Sequence, residues 1–447
     1  MKNVYKMAMN IMVMLAIVVS SLPIVNTQAN ETLSYGDWEY VIIDGNITIT
    51  KYNGNEKNVT VPNQIETKNV TKINMRAFID CKSLDSIRIP QNVTDIECSV
   101  SGKENLSSIE VDSENQNYSS EDGVLYNKKK TVLLSYPGAK NDESFTISNN
   151  VKTIAEAAFA GVKKIQKVVV PNRVKTIGKN AFEGCIKLRD VHMSSGLESI
   201  EYYAFDGCES LKSISLPETV KQIGSRAFGY CKGLKEINIP SKVTDIKSET
   251  FTGCENLTKV NLPKNLTKIS SMSFSYCYSL EEIVIPQFVK TIEKKAFLYC
   301  KKLKSVKFMG KPPVGLYADI FDECDLDLVV FYPKQYKKYW SEYTDYKTVA
   351  HSDLKIKVSK IKLNRKKASL RVGKKLRLKY EITPYEADLK TVRWKSSNKK
   401  VAVVTKKGLV KAKKAGRCTI TVITKDGSKK ATCKIIVKRK LKRNKKK

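Results

Sequence analysis

The chain has 447 residues and a formal net charge of +35 at pH 7, and the positive excess lies at one end: residues 351–447 hold 35 Lys and Arg against 5 Asp and Glu. The presence of two histidines, with no HExxH, GxSxG or glycine-rich phosphate-loop motif, argues against hydrolytic and nucleotide-dependent chemistry. No spacing indicates a pair of glycosidase carboxylates. We therefore predict a protein that is not an enzyme, with no catalytic residue, no metal and no cofactor.

Residues 1–29 are predicted to be a secretory signal peptide. Lys2 and Lys6 precede nine apolar residues at 11–19, and Ala29 ends a small-residue segment suited to cleavage. A retained membrane anchor is the alternative, although nine apolar residues are too few to span ~30 Å of hydrocarbon comfortably. After cleavage the protein is not expected to span a membrane.

Residues 30–75 are predicted to form an N-terminal β-hairpin cap. Two β-rich segments flank Asp44 and Gly45, a dipeptide typical of a two-residue hairpin turn. A hairpin here would cover the open edge of the first repeat, which otherwise exposes unpaired backbone groups.

A repeat of fixed length follows the cap and occupies residues 76–325. Phenylalanines recur every 23 residues and cysteines lie three residues beyond most of them. The phenylalanines are Phe159, Phe182, Phe205, Phe228, Phe251, Phe274 and Phe297, and Phe321 follows after an interval of 24 residues instead of 23. The cysteines are Cys185, Cys208, Cys231, Cys254, Cys277 and Cys300, and Cys324 follows them. Such a period is the sequence signature of a solenoid.

One repeat is too small to fold alone. Its seven or eight apolar positions could contribute about 1.5–3 kcal/mol each if fully buried, whereas ordering a repeat costs roughly 1.5 kcal/mol for every residue. Stacking lets each repeat bury its apolar edge on the next, so stability comes from contacts between neighbours. Within the repeat, the segment Leu211 to Leu216 predicts a short parallel strand, and the segment before Phe228 predicts a second short strand followed by a helical turn.

Two segments depart from the period. Residues 99–150 contain strand-like segments that do not follow the 23-residue period, and we interpret them as a variant repeat. Residues 326–352 are predicted to be a C-terminal cap, with an amphipathic helix between Tyr336 and Tyr346.

The repeats share the consensus pattern I-P-x-x-V-x-x-I-x-x-x-A-F-x-x-C-x-x-L-x-x-I. This pattern resembles the BspA-like leucine-rich repeat of bacterial surface proteins. The resemblance extends from about Val41 to Ala350. It implies a curved solenoid of parallel strands that serves for binding and has no catalytic residues.

Residues 357–438 are predicted to form a small β-sandwich, because short strands and turn residues alternate closely. Trp394 to Asn398, Val401 to Val403 and the segment from Gly408 to Gly416 resemble the group 2 bacterial immunoglobulin-like domain. That resemblance implies a stalk or adhesion module without catalysis. A basic tail, residues 439–447, follows.

The basic end is predicted to contact an anionic polymer of the cell envelope. Nucleic acid is not expected as a partner, because the export signal places the chain outside the cytoplasm. A solvated lysine-rich surface without a partner is the alternative. The expected contact residues are Lys438, Arg439, Lys440, Lys442, Arg443, Lys445, Lys446 and Lys447.

The strand residues between the inward ones are predicted to form an outward binding face, here called the strand face. They differ from repeat to repeat, whereas the inward positions recur. The candidates are Ser86, Arg88, Lys167, Asp190, His192, Ser213, Ser215, Glu236, Asn238, Lys259, Asn261, Glu282, Ser305 and Lys307. An unselected solvated surface would show the same variety.

The repeat cysteines are interpreted as buried, unpaired thiols, because Val162 occupies the same slot after Phe159. Strand spacing alone would permit disulfides between repeats. A zinc site is not expected, since a single line of sulfurs cannot close a tetrahedron. Cys418 and Cys433, which flank a hairpin around Asp426 and Gly427, could form a cross-strand disulfide.

Together these features predict a secreted or cell-surface interaction protein, monomeric and adhesin-like. Its solenoid would bind an extracellular protein or glycan, and its basic domain would associate with envelope polymers. The alternative is a polysaccharide-binding or structural component of the wall without a host partner.

Overall fold

The computed structural model describes residues 31–97, 105–314, 316, 318–343, 346–351, 358, 360–383, 391–425 and 429–439. The predicted signal peptide and residues 440–447 of the predicted tail lie outside the described residues. The described chain is a β-solenoid followed by a small sandwich, which confirms the predicted fold class.

Three antiparallel strands open the described chain: β1 (Leu33–Tyr35), β2 (Trp38–Ile43) and β3 (Asn46–Tyr52). The predicted hairpin turn is present, with φ of 49° at Asp44 and 78° at Gly45. Two positive φ values are the mark of a type I′ turn, whose twist matches that of the flanking strands. Because β3 also pairs in parallel with Lys68–Asn74, the hairpin joins directly to the first solenoid turn.

Two rows of short parallel strands follow, and each row is divided into several sheets. The first row contains β4 (Asn58–Thr60), β7 (Ser86–Ile89), β9 (Ser108–Val111), β13 (Ser144–Thr146), β15 (Lys167–Val170), β17 (Asp190–Met193), β20 (Glu236–Asn238), β22 (Lys259–Asn261), β24 (Glu282–Ile285), β26 (Ser305–Phe308), β27 (Val329–Pro333) and β28 (Lys347–His351). The second row contains β6 (Lys68–Asn74), β8 (Asp95–Glu97), β12 (Val132–Ser135), β14 (Thr153–Ile154), β16 (Thr176–Ile177), β18 (Ser199–Ile200), β19 (Gln222–Ile223), β21 (Asp245–Ile246), β23 (Lys268–Ile269) and β25 (Thr291–Ile292).

The variant repeat contributes strands to both rows. A hairpin of β10 (Tyr118–Glu121) and β11 (Val124–Asn127) pairs with β12, and β12 then starts the parallel run of the second row. The short strand β5 (Gln64–Ile65) pairs antiparallel with β6. The insertion interrupts the parallel pairing, since the described strands β9 and β13 lie in different sheets, as do β8 and β12. The solenoid core accordingly has two clusters, which meet at Leu125 and Tyr126.

Register between turns follows the sequence period. Val168 pairs with Val191, its equivalent 23 residues later, and the same holds for His192 and Val169. Within β17 the side chains of Val191 and Met193 are buried while those of Asp190 and His192 are exposed. The alternation arises because successive side chains of a strand point to opposite faces.

Stacked phenylalanine rings form the centre of the solenoid core. From Phe159 to Phe297 neighbouring ring centroids lie 4.8, 5.0, 5.4, 5.7, 5.4 and 5.3 Å apart. The rings in the middle of the stack are nearly parallel, with 2° between Phe205 and Phe228. Every one of these rings is fully buried.

The helical turn expected around each phenylalanine is in most repeats a run of tight turns. The amide of Phe182 donates to the carbonyl oxygen of Ala204 in the next repeat at 2.7 Å, and the amide of Phe205 donates to Ala227 at 2.8 Å. Because these amides bond between turns, they cannot also form the i to i−4 bonds of an α-helix. Short 3₁₀ helices occur at Met75–Phe78 and Ala318–Phe321.

The C-terminal cap contains less helix than expected. A 3₁₀ turn at Lys334–Tyr336 leads into the four-residue helix α1 (Lys337–Trp340), and β28 then extends the first strand row. The predicted helix to Tyr346 was therefore wrong in length. The short helix contributes Trp340 to the end of the core. This side chain is fully buried and donates its indole N–H to the carbonyl oxygen of Gly310 at 3.3 Å.

The described residues of the second domain form three small sheets around one core. One sheet has the order β30 (Lys367–Arg371), β37 (Lys430–Lys438), β36 (Gly416–Thr424) and β33 (Val392–Ser396); another has β31 (Lys375–Arg377), β35 (Leu409–Ala412) and β34 (Ala402–Val404); β29 (Lys360–Leu363) pairs with β32 (Tyr380–Thr383). No helix among the described residues is long and apolar enough to cross a membrane.

Cys418 and Cys433 are both buried and both free in the structure. Cys418 lies opposite Ile435, and Cys433 lies opposite Ile420, so the cysteines are diagonal neighbours. Diagonal neighbours are about 7–8 Å apart, beyond the ~4.4–6.8 Å between Cα atoms that a disulfide needs. The register disfavours the bridge that the sequence left open, and mass spectrometry after alkylation without reductant tests it.

Candidate binding surfaces

The structure places all the strand-face candidates on the outward side of the first strand row. Each is exposed or half-buried, and the residues between them are buried. Most lie within parallel strands, whereas Ser213 contributes a single bridge to Glu236. Equivalent outward residues of successive strands therefore line up in a column. Within a column, neighbouring residues are separated by the distance between parallel strands, about 4.8 Å.

Opposite charges face each other at several steps of the strand face. The guanidinium of Arg88 lies 3.2 Å from the carboxylate of Glu110, and the ammonium of Lys167 lies 3.6 Å from Asp190. Glu282 and Lys307 form a further pair. Exposed pairs of this kind contribute at most about 1 kcal/mol each. Their main effect is to fix which charges a partner would meet.

His192 lies beside a shallow depression next to the strand face. Val169, Asn172, Arg173 and Ser194 line the same depression. The histidine side chain is exposed. An imidazole, a guanidinium and an amide at one concave point can donate several hydrogen bonds to a polar ligand.

A tyrosine cluster at the turn edge, formed by Tyr230, Tyr276, Tyr278 and Tyr299, was missed by the sequence reasoning. Tyr230, Tyr276 and Tyr299 occupy the slot two residues after the core phenylalanine, with φ of 51°, 60° and 60°. Four other repeats have glycine in that slot, namely Gly161, Gly184, Gly207 and Gly253. A bulky residue with positive φ is unusual, and this departure from glycine was the available signal.

The cluster exposes aromatic edges and hydroxyl groups beside cations. The rings of Tyr276 and Tyr299 stack with centroids 5.1 Å apart, and Tyr278 packs edge-on against Tyr276 at 6.3 Å. The ammonium of Lys301 lies 5.7 Å from the Tyr278 ring centroid. Rings of this type provide a large contact area with a polar end, as at many interfaces.

Arg226 joins the same edge of the solenoid to a buried carboxylate. Its Nε lies 2.9 Å from Oδ1 of Asp206, and its guanidinium lies 4.8 Å from the ring centroid of Tyr230. Burial raises the pKa of Asp206, although the Arg226 hydrogen bond acts in the opposite direction. The pair anchors Arg226 beneath the Tyr230 ring.

Replacing Tyr276 with glycine is expected to change the free energy of unfolding by no more than about 1 kcal/mol. Relief of the left-handed backbone returns about 1–2 kcal/mol, which offsets the lost ring stacking of about 0.5–1.5 kcal/mol. Tyr276→Ala loses the stacking and keeps the strain, so it should be the less stable of the two by urea denaturation. Equal stability of the two variants would contradict a strained tyrosine.

The repeat cysteines are mostly buried thiols, and each donates the same kind of hydrogen bond to the carbonyl oxygen of a core phenylalanine. The Sγ of Cys208 donates to the carbonyl oxygen of Phe182 at 3.2 Å, and that of Cys254 donates to Phe228 at 3.1 Å. Burial raises the pKa of the Cys231 and Cys277 thiols. Cys208, Cys231, Cys254 and Cys277 are free cysteines. In the part of the chain that the structure describes, no group of three or more His, Cys, Asp or Glu is arranged to hold a metal ion.

Two of the predicted envelope-contact residues fall within the described chain. Lys438 is the last residue of β37 and Arg439 follows it, both exposed. Lys440, Lys442, Arg443, Lys445, Lys446 and Lys447 lie outside the described residues.

The stacked turns and their two rows of short parallel strands define a leucine-rich repeat solenoid. The model of the BspA type leucine rich repeat region matches residues 49–131, 135–251 and 223–339, and the chain belongs to that family. The group 2 bacterial Ig-like domain matches residues 357–435. The family and fold are those of non-catalytic repeat proteins of the cell surface.

Similar solved structures include a leucine-rich repeat protein from Eubacterium ventriosum, with 23% identity, a TM-score of 0.46, and coverage of 60% of this chain and 95% of that one. A leucine-rich cell surface protein from Faecalibacterium prausnitzii has 19% identity, a TM-score of 0.37, and coverage of 72% and 96%. The pneumococcal vaccine antigen PcpA has 17% identity, a TM-score of 0.36, and coverage of 72% and 99%.

Two curated enzymes share a short segment with the chain. A 3-O-alpha-D-galactosyl-alpha-L-arabinofuranosidase from Bifidobacterium longum subsp. longum is 43% identical over 72 residues, which are 16% of this chain and 6% of the enzyme. A kappa-carrageenase from Pseudoalteromonas carrageenovora is 42% identical over 74 residues, 17% of this chain and 19% of the enzyme. The chain thus spans a small part of either relative.

Proposed function

We propose that the protein is a non-enzymatic, adhesin-like interaction protein displayed outside the cell. Its strand face binds an extracellular protein or glycan, and its basic immunoglobulin-like domain associates with anionic polymers of the envelope. Export rests on the predicted signal peptide. Monomeric solenoids suffice for this role, because one chain carries both surfaces.

The observation that carries the proposal is the row of differing outward side chains that lies over inward positions which stay apolar from turn to turn. Val168, Val191 and Val260 repeat the same apolar type inward, whereas their outward neighbours change between lysine, aspartate, histidine and asparagine. A binding surface requires variety at fixed positions, and a rigid parallel sheet holds such side chains at low entropic cost.

A second candidate function follows from the basic domain. Its charge would suit a wall component that binds envelope polysaccharide and has no partner elsewhere. In that case the strand face would be a solvated surface.

Probing an array of glycans and matrix proteins with the full chain tests the proposal. A target is expected, and Lys259→Ala with Asn261→Ala should weaken its binding by at least about tenfold, or 1.4 kcal/mol. Both residues are exposed on β22. The matched control is Lys264→Ala with Asn265→Ala, exposed residues of the same turn that lie off the strand.

Equal effects of the two double variants would remove the strand face as the binding surface. Binding to envelope polysaccharide alone, unchanged by either double variant, would favour the structural wall component.

A further inference from the structure

The outer side of the four-stranded sheet in the immunoglobulin-like domain is strongly basic. The inner side of β36 and β37 is apolar and buried, as at Ile420 and Ile435. The outer side of the sheet carries eight exposed cations: Lys367, Arg371, Arg393, Lys395, Arg417, Lys430, Lys434 and Lys438. We call this surface the basic sheet face.

Strand register places like charges directly opposite one another on this face. Lys367 lies opposite Lys434, and Arg371 lies opposite Lys438, across the parallel pair β30 and β37. Like charges in directly opposed positions destabilise a sheet, and parallel neighbours are about 4.8 Å apart. Two such pairs on one strand pair are therefore an unfavourable arrangement for the isolated domain.

No carboxylate relieves the repulsion among the described residues of the domain. Glu381 is the single acidic residue there, and it lies on β32, which pairs with β29 in a different sheet. Hydroxyl groups do lie beside the cations, since Thr419 of β36 is opposite Lys434 and Thr421 is opposite Thr432. The face thus offers cations and hydroxyl donors, and its charge is unbalanced until an anion binds.

We propose that the basic sheet face binds a linear polymer that carries a phosphate group in each unit. The inference rests on the proposed association with the envelope and deepens it, because it moves the contact from the C-terminal tail to the sheet and names the ligand chemistry. The positive charge of the face is complementary to an anionic ligand. A phosphodiester keeps one negative charge and has two free oxygens that two opposed cations can share.

The phosphate in the proposal rests on the paired cations and the hydroxyl donors together. Three of the four paired cations, Lys367, Lys434 and Lys438, are lysines. An ammonium binds phosphate as a point charge. The threonine hydroxyls add donors that a tetrahedral group can reach from a third strand.

Binding of the full chain to immobilised poly(glycerol phosphate) tests the inference. The face variant combines Lys367→Gln, Arg371→Gln, Lys434→Gln and Lys438→Gln. The control combines Lys399→Gln, Lys400→Gln, Lys406→Gln and Lys407→Gln, exposed loop residues of the same domain. Both lose four charges, so a difference between them reports position on the domain.

The face variant is expected to bind at least about a hundredfold more weakly at low salt, since each of its four lost cations contributes to the attraction of an anionic polymer. Its slope of log Kd against log salt should fall by about 3, which is four contacts at ~0.7 each for a single-stranded polyanion. The control should keep the wild-type slope. The face variant should also melt no lower than wild type, because two repulsive pairs are removed.

Other outcomes overturn separate parts of the proposal. A face variant that binds like the control, together with loss of binding on deletion of residues 440–447, would return the contact to the tail and leave the proposed function standing. Equally tight binding of polygalacturonate at equal charge would overturn the assignment to phosphate. Failure of the wild-type chain to bind either polymer would overturn the proposed envelope association itself.

Discussion

Replacing Phe228 with alanine is expected to lower the free energy of unfolding by about 3–5 kcal/mol, the usual cost of truncating a buried phenylalanine. Phe228 is fully buried and stacks on two neighbours, Phe205 at 5.4 Å and Phe251 at 5.7 Å. The two lost aromatic pairs, worth about 0.5–1.5 kcal/mol each, are expected to place the loss in the upper part of that range. Urea denaturation followed by far-UV circular dichroism measures the change.

The position of the lesion matters because repeat proteins are stabilised by nearest neighbours. A break at Phe228 interrupts the stack in its middle, so hydrogen exchange should speed up most in the turns on either side. Phe228→Leu preserves apolar volume and should cost much less than the alanine variant. A loss below about 1 kcal/mol for Phe228→Ala would mean that the ring stack does not couple the turns.

Raising the pH above about 8.5 is expected to destabilise the solenoid steeply. Burial raises the pKa of five column thiols, so they stay protonated in the folded chain; they are Cys208, Cys231, Cys254, Cys277 and Cys300. In the unfolded chain the same thiols ionise near pH 8.5. The unfolded state then binds fewer protons than the folded state, and stability falls with increasing pH.

The expected slope is up to about 1.4 kcal/mol per thiol and pH unit, or roughly 7 kcal/mol per unit for the five together. Their stabilising contribution is complete below pH ~8.5 and is lost as the pH rises towards their folded pKa values. Urea midpoints measured in reductant between pH 8 and 10 give the slope. The control is a variant with valine at all five positions. Valine already occupies this slot in one repeat, at Val162. Equal slopes for the two proteins would show that the thiols ionise in the folded state as readily as in the unfolded state.

The sequence period predicted the solenoid because one physical requirement repeats in every turn. A 23-residue interval between Phe205 and Phe228 fixes which side chains meet in the core, and the alternation in β17 fixes which ones point outward. The hairpin at Asp44 and Gly45 was equally accessible, since only certain residues adopt two successive positive φ values. Local chemistry decides these features.

Features that depend on pairing between distant strands could not be predicted in the same way. The opposition of Lys367 and Lys434 depends on β30 lying parallel to β37, which is far away in sequence. The tight turns around the core phenylalanines depend on backbone groups that bond between solenoid turns, as the amide of Phe182 does with the carbonyl oxygen of Ala204. Tyr299 stands in a slot that is glycine in four other repeats, which is a sequence signal, but its stacking on Tyr276 depends on how neighbouring turns pack.

Lysine acetylation of the full chain, with and without a partner captured from the array, tests the proposed role of the strand face most directly. Lys167 and Lys259 are exposed on β15 and β22, whereas Lys242 and Lys290 are exposed outside the first strand row. Binding at the strand face should slow acetylation of Lys167 and Lys259 and leave Lys242 and Lys290 unchanged. Protection of Lys242 and Lys290, with Lys167 and Lys259 still reactive, would contradict the proposed binding surface.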